Sequence, residues 1–242
     1  MTIISTTGTR LLAQLALAGA TAFIGLAAAG TAAHAGPACG TEVNYVFAKP
    51  GVATYGTACA DLIVGTSGND TIHGLGGDDE ILTGTGSDAV YGGGGHDEVY
   101  TGSGVDHVDG GSGDDFIMGG TEKDYLNGNA GDDTIRGEEG DDVLYSYAGN
   151  NVPDGSDELY GGDGNDYLNG YEGVDWLEGQ FGDDTLYSSE VTPSYDHLVG
   201  GQGKDRFDVK DAIEHDQAHR DNVDVDNFDH AVTSKNAEDT FH

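Results

Sequence analysis

A nine-residue period dominates the chain and limits what it can fold into more than any other feature. The frame is clearest at Gly92–Tyr100, where the sequence reads GGGGHDEVY. The same register fits from residue 65 to residue 208 once insertions at 146–151 and 188–190 are set aside, which leaves fifteen repeats. Because a unit this short can bury its apolar side chain only against its neighbours, the period predicts a solenoid.

Three positions of the frame hardly vary in residue type. The eighth position is Ile, Val, Leu or Phe in every repeat, and the fourth is Gly in thirteen of fifteen. Residues 56–64 resemble a degenerate unit ahead of the array, because Asp61 and Ile63 fall on its sixth and eighth positions. The sixth position is Asp in all fifteen repeats and supplies the candidate metal ligands: Asp70, Asp79, Asp88, Asp97, Asp106, Asp115, Asp124, Asp133, Asp142, Asp157, Asp166, Asp175, Asp184, Asp196 and Asp205.

The order of residue types within a repeat indicates its chemistry. Glycines permit positive φ angles, so the first part of each repeat can turn tightly and direct its carbonyl groups inward. The Asp that follows adds a charged oxygen, and the last three residues form a minimal strand with only the middle side chain facing inward. Carbonyl and carboxylate oxygens are hard donors that favour Ca²⁺, which accepts about six to eight ligands in irregular geometry. We therefore expect several Ca²⁺ ions as cofactors.

The charge of the chain agrees with a cation as partner. Asp and Glu number 44 against 9 Lys and Arg, and the formal net charge is −35. Nucleic acids and anionic membrane surfaces would be repelled by such a chain, so neither is expected to bind. Columns of Asp from stacked turns would also repel one another unless a bound cation neutralised them.

The frame resembles the GGxGxDxUx repeat of the RTX, or hemolysin-type, calcium-binding proteins, in which U is a large apolar residue. Gly92–Tyr100 matches every fixed position of that repeat. The resemblance implies an all-β fold, a right-handed parallel β-roll (a solenoid) in which two repeats make one turn. It also implies that Ca²⁺ lies between a turn and the one two repeats further along, so that Gly93, Gly95 and Asp97 share an ion with Gly111, Gly113 and Asp115. A chain of this type is expected to fold when the ions bind.

The first 35 residues have the pattern of a secretory signal peptide. Arg10 is their only charged side chain, an apolar stretch runs from Leu11 to about Ala29, and Ala33-His34-Ala35 has the small-x-small pattern of a cleavage site. The apolar stretch contains glycines and has no basic stop-transfer cluster after it, so we expect cleavage rather than a membrane span. The mature chain is expected to be secreted and extracellular.

The remaining sequence divides into three parts. Residues 36–64 are expected to form a small N-terminal cap held by a disulfide between Cys39 and Cys59, the only cysteines in the chain. Residues 65–208 would form the calcium-binding roll, and residues 209–242 an acidic C-terminal cap and tail. These flanks are too short for an independent catalytic domain, and the chain has no recognisable catalytic motif, so we do not expect an enzyme.

An alternative function is calcium-dependent binding of a polysaccharide or a cell surface. Five tyrosines occupy the ninth position of a repeat and could form an aromatic face: Tyr91, Tyr100, Tyr145, Tyr160 and Tyr187. Tyr171 and Trp176 lie at other positions and are not expected to add to it. Tyrosine also packs well on the surface of any sheet, so the pattern alone does not decide between these roles.

Overall fold

The computed structural model describes residues 39, 43–149, 155–190, 196–211, 222–224 and 240–241. These segments contain twenty β-strands, arranged as one sheet of eleven strands and one sheet of nine. Within the described segments no residue is helical, and no helix long and apolar enough to cross a membrane is present. The predicted signal peptide, residues 1–35, lies outside them.

Odd-numbered strands form the first sheet and even-numbered strands form the second. The strand β20 is the one exception, because it follows β19 in the first sheet. The strands of the first sheet are β1 (Asn44–Phe47), β3 (Asp61–Val64), β5 (Glu80–Thr85), β7 (Glu98–Ser103), β9 (Phe116–Thr121), β11 (Thr134–Glu139), β13 (Glu158–Asp163), β15 (Trp176–Phe181), β17 (His197–Gln202), β19 (Asn222–Asp224) and β20 (Thr240–Phe241). Those of the second are β2 (Thr54–Tyr55), β4 (Thr71–His73), β6 (Ala89–Gly94), β8 (His107–Ser112), β10 (Tyr125–Ala130), β12 (Val143–Tyr145), β14 (Tyr167–Asn169), β16 (Thr185–Glu190) and β18 (Arg206–Asp211).

The chain alternates between the two sheets, so each full turn of the solenoid takes two repeats. All pairs of neighbouring strands are parallel, and Val90 on β6 is paired with Val108 on β8, two repeats further along. The interval lengthens where the sequence carries an insertion: Ile135 is paired with Leu159, and Leu177 with Leu198. The predicted all-β parallel roll is thus confirmed, and both insertions leave the register of the strands intact.

The core is a single file of side chains between the two sheets. It consists of the eighth residue of every repeat, and each member is at most 4% exposed. Full burial of one such side chain contributes about 2 kcal/mol, so one per nine residues makes a thin core. The members are Ile63, Ile72, Ile81, Val90, Val99, Val108, Ile117, Leu126, Ile135, Leu144, Leu159, Leu168, Leu177, Leu186, Leu198 and Phe207.

Two details differ from the sequence-based expectation. Residues 56–64 form a complete repeat with Asp61 and Ile63 buried in the common columns, so the roll has sixteen repeats and about eight turns rather than fifteen repeats. The strands are also longer than three residues. In most repeats they run from the seventh position into the third position of the next repeat, as in Ala89–Gly94. Glycines at the first and second positions therefore belong to the strand, and the turn occupies only positions four to six.

The N-terminal end of the roll is closed by short strands and a disulfide. The strand β1 is paired with β3 and β2 with β4, so each extends a different sheet. The segment between them turns at Gly51, where φ is +73°. A disulfide joins Cys39 to Cys59 with 5.4 Å between the Cα atoms, as predicted. At the other end β19 and β20 continue the first sheet, and most of the predicted C-terminal cap, residues 209–242, lies outside the described segments.

Candidate metal sites

The Asp residues of the sixth position form an inner column along each edge of the roll. All fifteen predicted residues, and Asp61 as well, are at most 4% exposed. In each column the Oδ1 atom of one Asp accepts a hydrogen bond from the backbone N–H of the Asp two repeats earlier, at 2.7–2.9 Å. Asp97 N–H donates to Asp115 in this way, at 2.8 Å. The inner Asp side chains therefore connect successive turns.

In most repeats that open with glycine, the second carboxylate oxygen of the inner Asp points at that glycine. A Cβ atom built on Gly92 would overlap the Oδ2 atom of Asp97 and the carbonyl oxygen of Gly110, which belongs to the next turn. Two oxygens thus approach one point, and a cation between them would be stabilising. Within the described residues, the second oxygen is buried without a hydrogen-bond partner in Asp79, Asp97, Asp115, Asp124, Asp133, Asp142, Asp166 and Asp184.

Burial changes the protonation of the inner carboxyls. Removal from water raises the pKa of Asp79, Asp115, Asp124 and Asp133 to about 8, against an ordinary 3.8. The backbone hydrogen bond opposes this rise, and the charges of neighbouring Asp residues add to it. The charged form is therefore disfavoured at neutral pH unless a positive charge lies nearby.

Lys123 supplies such a positive charge near Asp142 and lowers the pKa of its carboxyl. The pKa of Asp142 rises only to about 6. Burial is again the largest cause, and after the backbone hydrogen bond the positive charge of Lys123 is the next influence that lowers it. A cation in the inner column would act in the same direction and at shorter range.

Glycines at the second and fourth positions allow the turns to stack closely. Gly93 and Gly95 have φ angles of +115° and +128°, which L-residues rarely adopt. A Cβ atom on Gly111 or Gly113 would overlap the carbonyl oxygen of Gly93 or Gly95, respectively. The carbonyl groups of these positions thus face the next turn. The structure stacks Gly93 on Gly111, Gly95 on Gly113 and Asp97 on Asp115, the six residues for which a shared ion is predicted.

Four repeats carry a buried hydroxyl where the others have their opening glycine. Thr83 donates to the carbonyl oxygen of Thr101, and Thr101 to that of Gly119, both at 2.7 Å. Ser146 and Ser188 occupy the same place, so each insertion follows the first position of its repeat, and Ser188 donates to the carboxylate of Asp196. Sequence reasoning missed this feature, although the exceptions at the first position could have revealed it.

A second, outer column comes from the fifth position of the repeats. Asp78, Asp114, Asp141 and Asp183 each accept a backbone N–H from the fifth position two repeats later, at 2.8–3.0 Å. These bonds run in the direction opposite to those of the inner column. The outer side chains are exposed, and hydrogen bonds from Asn165 lower the pKa of Asp141. Sequence reasoning did not foresee this ladder.

The repeat at 119–127 departs from the frame at its fourth position, yet it keeps the inner geometry. Glu122 stands at the fourth position with a φ of +73°, and the side-chain Nζ of Lys123 donates to the carbonyl oxygen of Asp141. Asp124 nevertheless stays fully buried and accepts the N–H of Asp106 at 2.9 Å. The departure thus affects the turn and the outer column rather than the carboxylate.

The donor set available to a metal in the inner column consists of oxygens alone. In the part of the chain that the structure describes, no three side chains of His, Cys, Asp or Glu converge on one point. The oxygens come instead from the Asp column and from the carbonyl groups of the stacked turns. Both are hard donors of the kind that Ca²⁺ prefers, so the residues present fit that ion.

A family model of the RTX calcium-binding nonapeptide repeat matches residues 55–90, 82–117, 91–126, 118–153 and 154–186, more than half of the chain. The chain belongs to this family. RTX nonapeptide repeats bind Ca²⁺, and this chain carries many copies of the repeat. No curated protein matches the sequence significantly.

The tyrosines of the ninth position do not form one face in this RTX roll. Tyr91, Tyr145 and Tyr187 lie on strands of the second sheet, whereas Tyr100 and Tyr160 lie on the first. Consecutive repeats alternate between the sheets, so a nine-residue period places neighbouring tyrosines on opposite sides of the molecule. The single aromatic face considered from the sequence is therefore wrong.

Proposed function

We propose that this protein is a secreted, non-enzymatic calcium-binding β-roll that folds when Ca²⁺ occupies the inner Asp columns. The observation that carries the proposal is the set of buried Asp carboxylates whose second oxygen approaches the same point as a carbonyl oxygen of the next turn. Buried charges of one sign destabilise a fold unless they are neutralised. Ca²⁺ would supply the neutralising charge, and its binding free energy would add directly to the free energy of folding.

The proposed ligands of a representative site are the carbonyl groups of Gly93, Gly95, Gly111 and Gly113 with the carboxylates of Asp97 and Asp115. To these the geometry adds the carbonyl oxygen of Gly110, which approaches the same point as the second oxygen of Asp97. Equivalent sites would recur wherever two turns stack in the same register. The four repeats with a buried opening hydroxyl already have a hydrogen-bond donor in the place that glycine leaves open elsewhere. We expect these repeats to depend less on the ion.

Secretion is supported by the signal-peptide pattern of residues 1–35 and by the disulfide near the start of the roll. Disulfides persist mainly in oxidising compartments outside the cytosol. Extracellular calcium modules bind with Kd values on the order of 10⁻⁴ to 10⁻³ M. The chain would then be unfolded at the low Ca²⁺ concentration inside a cell and would fold after export.

The test is a far-UV circular dichroism titration of the purified protein with CaCl₂, and with MgCl₂ as the control. The expected result is a cooperative gain of β signal with calcium, reversed by a chelator and not reproduced by magnesium. Mg²⁺ is smaller and demands near-octahedral geometry, so a cradle of carbonyl and carboxylate oxygens suits it poorly. A spectrum that is the same with and without calcium would overturn the proposal.

The alternative function, binding of a polysaccharide or a cell surface, would use side chains on the faces of the sheets rather than the turns. Calcium binding and surface binding are therefore compatible in one molecule. The observation that favours such a second role is an uncharged aromatic surface on the second sheet.

A further inference from the structure

The middle of the second sheet presents an uncharged surface on a strongly acidic protein. The eighth residue of each repeat is in the core, so the seventh and ninth residues point outward. On β10, β12, β14 and β16 none of these outward residues is charged, although the chain contains 44 acidic residues. On the first sheet, by contrast, Glu98, Glu158 and Glu178 occupy such positions. Asn169 is buried, and Tyr125 stacks on His107 with the ammonium of Lys123 over its ring, so neither belongs to this surface. The remaining uncharged residues are Asn127, Val143, Tyr145, Tyr167, Thr185 and Tyr187, and together with Tyr147 and Tyr171 they are called the tyrosine surface below.

The rings of the tyrosine surface are tilted against one another. The centroids of Tyr147 and Tyr171 are 4.7 Å apart with an interplanar angle of 42°, and those of Tyr145 and Tyr167 are 5.9 Å apart at 65°. Tyr171 also approaches Tyr145, at 6.3 Å and 58°. In an edge-to-face or oblique pair only one ring has a face covered by the other, whereas stacking covers a face of both rings.

In the first turns of the same sheet, by contrast, the aromatic rings stack face to face. Tyr55, His73 and Tyr91 lie in one column with centroids 4.7 Å apart and interplanar angles of 5° and 7°. Each face of the central ring is covered by a neighbour, so this column is explained by packing along the sheet. The tilted arrangement around Tyr171 is not a continuation of that pattern.

Polar groups suited to hydroxyl ligands lie among the tilted rings. The amide nitrogen of Asn127 donates to Asn129 and to the carbonyl oxygen of Tyr147, at 3.0 and 3.3 Å. Its Oδ1 atom is buried and has no hydrogen-bond donor within the described residues. The phenol hydroxyls of Tyr167 and Tyr171 add groups that can donate and accept hydrogen bonds.

We propose that the tyrosine surface binds a neutral glycan. Sugar rings present C–H groups to aromatic faces and hydroxyls to amides and phenols, and this surface offers all of these groups. A net charge of −35 would repel an anionic polysaccharide, whereas a neutral one is not repelled. Tyr145 and Tyr187 lie two strands apart, roughly 10 Å, a span comparable to one disaccharide of an extended chain. The surface exists only in the folded roll and so rests on the proposed calcium-driven fold.

The experiment is affinity gel electrophoresis of the purified protein in buffer with CaCl₂. Three gels contain soluble polysaccharides: hydroxyethyl cellulose, a soluble β-1,3-glucan, and alginate as the anionic comparison. The expected result is retardation in at least one neutral gel and none in alginate. Migration unaffected by both neutral polymers, or retardation in alginate alone, would overturn the proposal.

Two variants locate the binding to the tyrosine surface. Tyr171→Gly removes a ring from a residue with a φ of +57°, a conformation that glycine adopts more easily, so relief of the backbone offsets part of the lost ring contacts. Tyr147→Ala removes a ring that is 39% exposed. Tyr91→Ala is the matched control, because Tyr91 lies on the same sheet face outside the tyrosine surface.

Tyr171→Gly and Tyr147→Ala are each expected to weaken retardation by about tenfold in apparent Kd, and Tyr91→Ala to leave it unchanged. Equal retardation of all three variants and the wild type would contradict the assignment. Calcium titration of the same samples by circular dichroism separates this proposal from the proposed function. A normal calcium response without retardation overturns only glycan binding, and a missing calcium response in the wild type overturns calcium-driven folding.

Discussion

Asp141 and Asp142 are neighbours in the sequence, and both accept a backbone N–H from another turn, yet their carboxyls behave in opposite ways. Asp141 belongs to the outer column, and its hydrogen bonds from Asn165 lower its pKa. Asp142 belongs to the inner column, where burial raises its pKa to about 6 in spite of a bond from Asp124 at 2.7 Å. Exposure to water, rather than the hydrogen bond, therefore decides which carboxyl needs a cation. The outer column connects successive turns without a bound cation.

Acidification of the chelated protein should show the largest effect of this difference. The pKa values of inner carboxyls such as Asp79 and Asp133 are raised from 3.8 to about 8, so the folded state binds more protons than the unfolded chain between these values. Without calcium the fold should thus be most stable near pH 4 and lose stability as the pH rises towards 8. Far-UV circular dichroism in excess chelator, followed from about pH 8 to pH 4, should show a gain of β signal.

The outer column contributes with the opposite sign, because the pKa of Asp141 is lowered, but it is exposed to solvent and screened. A β signal that falls on acidification would show that the inner column does not control folding. In excess calcium the trend should reverse, since protons compete with Ca²⁺ for the same oxygens and the midpoint concentration should rise as the pH falls.

A methyl group at the fourth position should disrupt both columns at once. In Gly113→Ala the new Cβ would overlap the backbone carbonyl oxygen of Gly95, and φ is +117° at this site. We expect a loss of about 3 kcal/mol in the free energy of unfolding, measured by urea denaturation in calcium. Gly68→Ala is the control at the same position of another repeat, because a Cβ there meets nothing within 4 Å. Its effect should stay within about 0.5 kcal/mol, and equal losses for both variants would contradict the stacking argument.

Replacement of Asp by Asn separates charge from hydrogen bonding and should give the smallest effects. Asp115→Asn keeps an acceptor for the N–H of Asp97 and cannot ionise, whereas the Asp115 carboxyl must take up a proton when it is buried without calcium, because its pKa rises from 3.8 to about 8. The chelated protein should gain about 1 kcal/mol at neutral pH, while the calcium midpoint moves to higher concentration. Asp114→Asn, one residue away in the outer column, should change neither quantity. Thermal melts and calcium titrations of both variants provide the measurement, and identical behaviour of the pair would remove the distinction between the columns.

The sequence predicts the fold well because one period controls both the core and the turns. The eighth-position residues from Ile72 to Phe207 were all identified as core, and the sixth-position Asp residues all lie in the predicted columns. The role of the Asp residues as calcium ligands stays a prediction. The bounds of the strands were harder to predict, because glycines such as Gly92 and Gly93 are typical of turns and yet continue a strand here.

The outer ladder and the tyrosine surface could not be read from residue types alone. Asp, Asn, Ser and His at the fifth position look like any solvated turn, and only the stacking of Asn69 under Ser87 or His96 under Asp114 reveals their common role as acceptors. Tyr171 was set aside because it does not lie at the ninth position. Its ring nevertheless lies 6.3 Å from that of Tyr145 and 4.7 Å from that of Tyr147, a proximity that the period does not predict.

The position of the two insertions shows where such a chain can accept additional residues. Each insertion follows the first residue of a repeat, and the strands on either side keep their pairing, across intervals of 24 and 21 residues in place of 18. The strand register of the roll therefore depends on the number of turns and not on the number of residues in each turn. A foreign peptide grafted after Ser146 or Ser188 should be displayed at the edge of the molecule while the register beneath it is preserved, and lineages of such chains are free to diversify there.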